Sequence, residues 1–504
     1  MSGKYYVGID IGTYESKGAL VDENANLITS YTCQHLMESP RPGWAEHDAE
    51  STWWADFCEI SNMLIDKSKI DPHDIAAVGC STIAPCCLPV DASLKPLRKA
   101  ILYGIDVRAT EEIDFLEKKY GKRELFERYG TPLTTQSAGA KVLWIKNKEP
   151  DVFAKADKFI TGSTYLVAKL TGNFVIDHYT AATWVPLYNV AACDWEADTS
   201  LICERKKLAE CRWTNEIVGT VRDAASRETG LAVGTKVMSG TADASAEAIS
   251  VGVTEPGDMM LMYGSSIFII HVVKKFTRDE RLWAGPYLFP GTYSVAAGMS
   301  CAGTLTRWFR DNFSPDIVSM AEKDGQNVYA LLAETARDIS PGSDGLTVLP
   351  YFSGERTPIN DPLAKGLIFG LNLHHTREHI YNAILEGVGY GIDQHFEIFD
   401  KIGLGTCKVM AVGGGVKNAK WLQCVTDISG KTQHVAEINM GAAYGDALLA
   451  ALSDGRYNDQ RELARIIKIK SSVHPDDSRH GIYGPYKERY RALYLATRDI
   501  MHSY

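Results

Sequence analysis

Residues 5–24 read YYVGIDIGTYESKGALVDEN, an apolar run that holds an acid, Asp10, between Gly8 and Gly12. With a period of two, Val7, Ile9 and Ile11 share one face of a strand, and Gly8, Asp10 and Gly12 share the other. The first face suits a core. The second is a bare strip of backbone with one carboxylate, followed by Thr13, Ser16 and Lys17, and it predicts that something bulky and polar lies against it. Small residues after a strand let backbone N–H groups approach phosphate oxygens, and hydroxyls add donors. Asp10 would repel phosphate unless a cation intervened; Mg²⁺ held by a carboxylate, waters and phosphates meets that need. A plain hairpin whose glycines serve only the turn fits the same residues, and this stretch alone leaves both readings open.

The chain of 504 residues exceeds what one hydrophobic core usually serves, which predicts two domains. Apolar residues make up 45% and charged residues 23%, ordinary for a globular protein. A net charge of -10 argues against nonspecific nucleic-acid binding, and no apolar run reaches membrane-spanning length. With no signal-peptide layout at its start, the chain is expected in the cytoplasm. Eleven scattered cysteines, with Cys86 and Cys87 adjacent and no CxxC pair, read as reduced thiols. His375 and His379 stand four apart, but with no acid or cysteine cluster beside them they read as a helix-end pair.

Strand-like runs ending in small residues recur, as in DIAAVGCST, TKVMSGTAD, GDMMLMYGSS and CKVMAVGGG, with helical stretches between several of them. In the segment from Arg377 to Phe399, Ile380, Ile384, Val388, Ile392 and Phe396 form a core-facing stripe at spacings of four. The mixture implies α/β layers. Gly12-Thr13 follows a strand in the first half, and Gly264-Ser265-Ser266 follows one in the second. Gly252 and the TEPGD turn suit a domain junction near 245–257. Two halves that each offer a glycine and a hydroxyl would grip one ligand in a cleft between them.

Two near-misses are rejected. Gly430-Lys431-Thr432 resembles the end of a Walker A loop, but the required glycine at 425 is Val425. GGGVKN at Gly413 fails the dinucleotide fingerprint because Asn418 replaces its last glycine. SGTADASAEAIS places Asp243 between a strand and a short helix. As a helix N-cap the residue is unremarkable; as a general base it would accept the proton of a substrate hydroxyl, as kinase chemistry requires.

In this order the segments resemble the FGGY family of carbohydrate kinases, in its xylulokinase-like branch. The strongest match is GERTPINDPLAKGLIFGLNLHHTREHIYNAILEGVGYG, from Gly354 to Gly391, and the resemblance covers almost the whole chain. DIGTYESK, PGWAEHD at Pro42, YGIDVR at Tyr103, GTAD at Gly240, GGGVKNAKWLQCVTDISG and GAAYGDALLAAL at Gly441 support it. Around Lys141 and Trp144 the match is partial: KVLWIKN fits and the residues before it do not. The resemblance implies two actin-like, ribonuclease-H-like α/β domains with an interdomain cleft: residues 1–245 binding sugar and residues 246–504 binding ATP. It implies Mg²⁺ near Asp10 and Asp243, with Gly12, Thr13 and Lys17 at the transferring phosphate. Gly264, Ser265 and Ser266 would hold ADP phosphates, Gly303 would line the nucleotide path, and Gly414, Gly415 and Asn418 would flank the adenine. Asp243 would be the base, and closure of the domains would exclude water.

The resemblance places sugar recognition on Trp44, on the loop from Ser81 to Pro85, on Asp106 and Arg108 of YGIDVR, and on Asp243. Where xylulokinases carry a Gln-Met-His-like element, this chain has Ile83, Ala84 and Pro85, and Ala244 follows the base where many relatives have Asn or Gln. Fewer polar contacts at two places redirect specificity. The expected acceptor is a small sugar, first a ketopentose such as D-xylulose, with ribulose, gluconate, erythrulose or polyol types open. The rival classes are a non-catalytic actin-like nucleotide-binding protein and a sugar sensor. The C-terminal run with Tyr483, Tyr486, Tyr490 and Tyr494 is expected to pack on its own domain, and a homodimer contact there stays open.

Overall fold

The computed structural model describes residues 3–503. The chain divides into two compact units: residues 1–256, 272–295 and 440–467 form one, and residues 257–271, 296–439 and 468–504 the other. In chain order, the helices that matter below are α1 (Ala55–Ser68), α2 (Ala138–Lys148) and α3 (Asp243–Ser250) of the first unit. The second unit supplies α4 (Gly303–Phe313), α5 (Val328–Thr335), α6 (Arg377–Lys401) and α7 (Ala419–Ser429). Helix α8 (Ala442–Ser453) returns to the first unit, and α9 (Asp477–Met501) ends the second.

In the first unit, β1 (Tyr5–Ile11), β2 (Glu15–Asp22) and β3 (Leu27–Gln34) form an antiparallel meander. Then come β4 (Ile75–Thr82), β5 (Ile217–Thr220), β6 (Lys236–Met238) and β7 (Thr241–Ala242). The sheet order is β5-β6-β4-β1-β2-β3, with β7 also paired to β4. Strands β1, β6 and β7 all run parallel to β4. The alternation read at 5–11 holds: Val7, Ile9 and Ile11 are fully buried in a core with Trp53, Phe57 and Ile60.

The other face of β1 differs from expectation. Helix α8 lies on Gly8, where an added Cβ would sit 2.1 Å from the Ala443 carbonyl oxygen and 2.3 Å from the Ala447 nitrogen. It lies equally close on Gly79 of β4, 2.4 Å from the Asp446 carbonyl oxygen. The glycine at 8 therefore admits a helix backbone rather than a ligand, and only the Asp10 end of the strip escapes the helix. A helix more than 430 residues away in the chain leaves no local trace at Gly8.

In the second unit, β8 (Asp258–Tyr263), β9 (Ile267–Val273), β10 (Tyr293–Met299), β11 (Lys408–Val412), β12 (Gln433–Ala436) and β13 (Ile469–Val473) form a mixed sheet in the order β10-β9-β8-β11-β12-β13. The stripe on α6 is buried as expected at Ile384, Val388, Ile392 and Phe396. Gly387 serves a close approach to a strand: its Cβ would meet the Val348 carbonyl oxygen at 2.4 Å. Thr376 and His379 form a capping box at the start of α6, which accounts for the histidine pair as a helix-end feature. Tyr483 and Tyr490 of α9 pack on Tyr390 and Tyr351 within the unit. All eleven cysteines are free.

Candidate active site

In the first unit the parallel ends of β1, β4 and β7 lie side by side, with Asp10 opposite Ser81 and Thr241 opposite Ser81 on the far edge. Asp243 starts α3 directly after β7. It is not the N-cap; Ala242 holds that position and makes no side-chain cap. One Asp243 oxygen accepts from the Ala244 N–H at 2.8 Å, and the other has no protein partner among the described residues. The Ser81 hydroxyl reaches Asp10 at 3.0 Å and Asp446 of α8 at 2.6 Å, and the second Asp446 oxygen is buried without a partner.

The electrostatics follow from crowding. Burial and then the neighbouring Asp243 carboxylate push Asp10 above its ordinary range. Burial raises Asp243 as well, with Glu247 adding to it. Glu247 is pushed up to about 7 by burial and by Asp10, and Asp446 is also raised by burial and Asp10. The cation facing this cluster is Lys17, the cross-strand partner of Asp10, itself paired with Glu15. Four desolvated carboxyls, of which Asp10 and Glu247 feel the Lys17 ammonium, form a site short of positive charge.

Gly12 and Thr13 form the turn between β1 and β2, with the Thr13 hydroxyl 3.2 Å from the Tyr103 hydroxyl. Among the residues expected to bind sugar, the structure places several differently. Ile83 is buried in the core, and Ala84 beside it is half-buried. Asp106 and Arg108 have no exposed side-chain surface: they pair with each other at 2.6 Å, and Arg108 also pairs with Glu46 at 2.7 Å. Asp106 further accepts from the Ala45 N–H at 2.7 Å. A carboxylate and guanidinium buried this deeply engage each other and Glu46, and the pair braces the YGIDVR loop. Trp44 lies under the Arg108 guanidinium at 3.8 Å and edge-on to Trp144 at 5.4 Å, which makes it part of the same brace. Buried Lys141 of α2 supports the loop from beneath by donating to the Leu102 and Tyr103 carbonyls; its pKa is lowered to about 8 by burial.

In the second unit, one cavity of about 470 Å³ gathers Gly264, Ser265, Gly303, Gly414, Gly415 and Asn418. Ser266 lies in the same β8–β9 turn, where its carbonyl accepts from the Gly264 N–H at 3.0 Å. The N-terminus of α4 docks on that turn: the Gly303 N–H donates to the Gly264 carbonyl, and Ala302 and Thr304 donate to the Ser265 carbonyl. Gly413 has φ +88 and its Cβ would meet the Tyr263 carbonyl oxygen at 2.7 Å, whereas Gly414 faces open space. The Asn418 amide is already engaged, capping α7 through the Trp421 N–H and donating to the Tyr381 hydroxyl at 3.0 Å. It forms part of the cavity wall.

The same cavity includes Arg307, Lys417 and Tyr329, which the sequence reading missed. Neither Arg307 nor Lys417 has an ion-pair partner among the described residues. Arg307 sits one turn after Gly303 on α4, a spacing that could have drawn attention to it. An added Cβ at Gly303 would lie 2.5 Å from the Gly264 carbonyl oxygen. Gly303→Ala is therefore expected to push α4 off the β8–β9 turn and weaken ADP binding roughly tenfold, an overpacking cost of about 1–3 kcal/mol. Calorimetry with ADP on the folded variant checks this; an unchanged affinity would show that the docking does not shape the cavity.

Two α/β units with mixed sheets, one carrying paired acids at parallel strand ends and the other a glycine-walled, cationic cavity, define the actin-like class of nucleotide-dependent phosphotransferases. The comparisons narrow this: the N-terminal domain of the FGGY family of carbohydrate kinases matches residues 5–250, and its C-terminal domain matches residues 259–453. The chain belongs to the FGGY family of carbohydrate kinases. It is 29% identical over 502 residues to the xylulose kinase of Escherichia coli (strain K12), covering 98% of this chain and 100% of the relative. It is 26% identical to the gluconokinase of Bacillus subtilis (strain 168), covering 90% of this chain and 88% of that protein. The crystal structure of xylulose kinase from Rhodospirillum rubrum superposes with a TM-score of 0.91 at 27% identity, over 99% of this chain and 100% of that one. The protein is thus a sugar kinase with ATP as phosphoryl donor. Among the described residues, no helix is long and apolar enough to cross a membrane.

Proposed function

We propose that the chain transfers the γ-phosphoryl group of ATP to a hydroxyl of a ketopentose, D-xylulose first, with Asp243 as general base. The observation that carries the reading is the placement of Asp10 and Asp243 at the ends of β1 and β7, which both run parallel to β4, with one Asp243 oxygen left unpartnered. Burial keeps Asp243 basic, and it accepts the hydroxyl proton as that oxygen bonds to the γ-phosphorus and ADP leaves. The Gly12–Thr13 turn and Lys17 meet the transferred phosphoryl group. In the second unit, Gly264, Ser265 and Ser266 approach the ADP phosphates. Arg307 and Lys417 supply charge, and Gly414, Gly415 and Asn418 wall the base.

The residues fit Mg²⁺. Four raised carboxyls, two of them facing Lys17, ask for a cation, and among the described residues no group of three or more His, Cys, Asp or Glu would hold a metal alone. That suits an ion taken by one or two carboxylates together with water and phosphates. Asp10 and Asp243 would hold it, and it would neutralise charge on the phosphates.

D-xylulose comes first because relatives and a close structural neighbour carry that activity. A second reading, an acceptor such as an aldonic acid or another ketose, is favoured by the buried Ile83 and by Ala244, whose backbone N–H already serves Asp243. ATP consumption measured across ketopentoses, ketohexoses, tetruloses, pentitols and aldonic acids decides between them. The expected result is one strongly preferred ketopentose that is silent with the Asp243→Asn protein. Preference for an aldonic acid would replace the first reading with the second, and turnover of no acceptor would end both.

A further inference from the structure

Behind the Gly12–Thr13 turn stand two imidazoles that the chemistry above does not use. His35 follows β3 and lies with its Nδ1 2.7 Å from the Asp56 carboxylate of α1 and its Nε2 3.1 Å from the Gly12 carbonyl oxygen. Asp56 also accepts from the Ser16 hydroxyl at 2.6 Å. His47 accepts the Trp53 indole N–H on Nδ1 at 3.0 Å, and its Nε2 lies 3.1 Å from the Thr13 carbonyl oxygen. The two rings meet edge to face, 5.1 Å apart. Both side chains are nearly buried, and burial lowers His47 to about 4.

The tautomers follow from the partners. An indole N–H can only donate, so His47 accepts it on Nδ1 and donates from Nε2 to Thr13. Both neighbours of His35 are acceptors: its Nδ1 faces the Asp56 carboxylate and its Nε2 faces the Gly12 carbonyl. Two successive carbonyls are thereby drawn to the buried side. In a planar trans peptide the N–H points opposite to its C=O. The N–H groups of Thr13 and Tyr14 therefore face away from the histidines, and neither donates to a protein acceptor among the described residues. Successive free N–H groups on one side of a turn make an anion-binding concavity.

Resting on the reading of this turn given above, we infer that His35 and His47 are positioning residues: they hold the Gly12 and Thr13 carbonyls back so that the Thr13 and Tyr14 N–H groups receive the oxygens of the transferred phosphoryl group. The inference concerns the γ-phosphate alone, so it predicts an effect on triphosphate that diphosphate does not show.

The test compares binding of the β,γ-imido analogue of ATP with binding of ADP, both with Mg²⁺, by calorimetry. His47→Leu and His35→Leu are expected to weaken the analogue about tenfold while ADP affinity stays within twofold, because charge-assisted hydrogen bonds to one phosphate are lost. His47→Gln, whose amide can both accept from Trp53 and donate to Thr13, is expected to keep most of the affinity. If His35→Leu does not fold, the His47 pair decides. Equal weakening of both nucleotides, no weakening of either, or equal behaviour of His47→Leu and His47→Gln would overturn the inference. Thr13→Val separates it from the reading beneath it. Weakened analogue binding in Thr13→Val with an unaffected, folded His47→Leu removes only the histidine role. No effect in either variant removes the turn's role in phosphate binding.

Discussion

Asp243→Asn is expected to lower turnover with D-xylulose about 10³-fold, within the range that a lost general base accounts for, while ADP affinity in the absence of Mg²⁺ remains that of the wild type. Asparagine keeps the size of the side chain and an oxygen for the Ala244 N–H. It cannot take the proton that the free carboxylate oxygen would accept. The residues gathered in the second unit's cavity do not include Asp243, so ADP binding measured without Mg²⁺ has no reason to change. The substitution also removes one of four crowded carboxyls, so the variant is expected to fold at least as stably as the wild type. Steady-state kinetics, ADP calorimetry and a thermal melt together check this. A folded variant that retained more than a tenth of wild-type turnover would remove Asp243 from the role of base.

Gly445→Ala is expected to destabilise the first unit by about 2–3 kcal/mol, the upper part of the usual overpacking range. In an exposed helix the same change would stabilise, because glycine costs roughly 0.5–1 kcal/mol relative to alanine. Here the added Cβ would fall 1.8 Å from the Ala246 carbonyl oxygen and 2.7 Å from its carbon. Backbone cannot swing aside as a side chain can, so α3 and α8 must separate. That displaces Asp446, the next residue, which shares the Ser81 hydroxyl with Asp10. Turnover is therefore expected to fall along with the midpoint of urea unfolding. A midpoint that rose would show that the two helices do not depend on this contact.

Much of the architecture was legible because it is written at short range. The period-two pattern at 5–11 and the stripe on α6 each depend on residues a few places apart, and both faces are buried as the patterns require. Glycine and hydroxyl pairs at strand ends pointed to Gly264 and Ser265, which the fold gathers with Gly303 and Gly414 in one cavity. The acid in GTAD stood out because it followed a strand. Asp446 did not stand out, since an acid in the apolar helix GAAYGDALLAAL is informative only when Ser81 and Asp10 are seen beside it.

By itself the sequence determined the α/β class, the β1–β2 hairpin with its acid and glycine turn, the strand-end position of Asp243 and the family. These rest on local periodicity and on ordered motifs, which survive in one dimension. Only the tertiary structure decided what lies on Gly8, which is α8 and not a ligand. It decided too that Asp106, Arg108 and Trp44 close on Glu46 and on each other, and that two histidines stand behind the Gly12–Thr13 turn. The reason is physical: a charged or bare position in sequence says that a partner is needed, and a partner hundreds of residues away is chosen only when the chain packs.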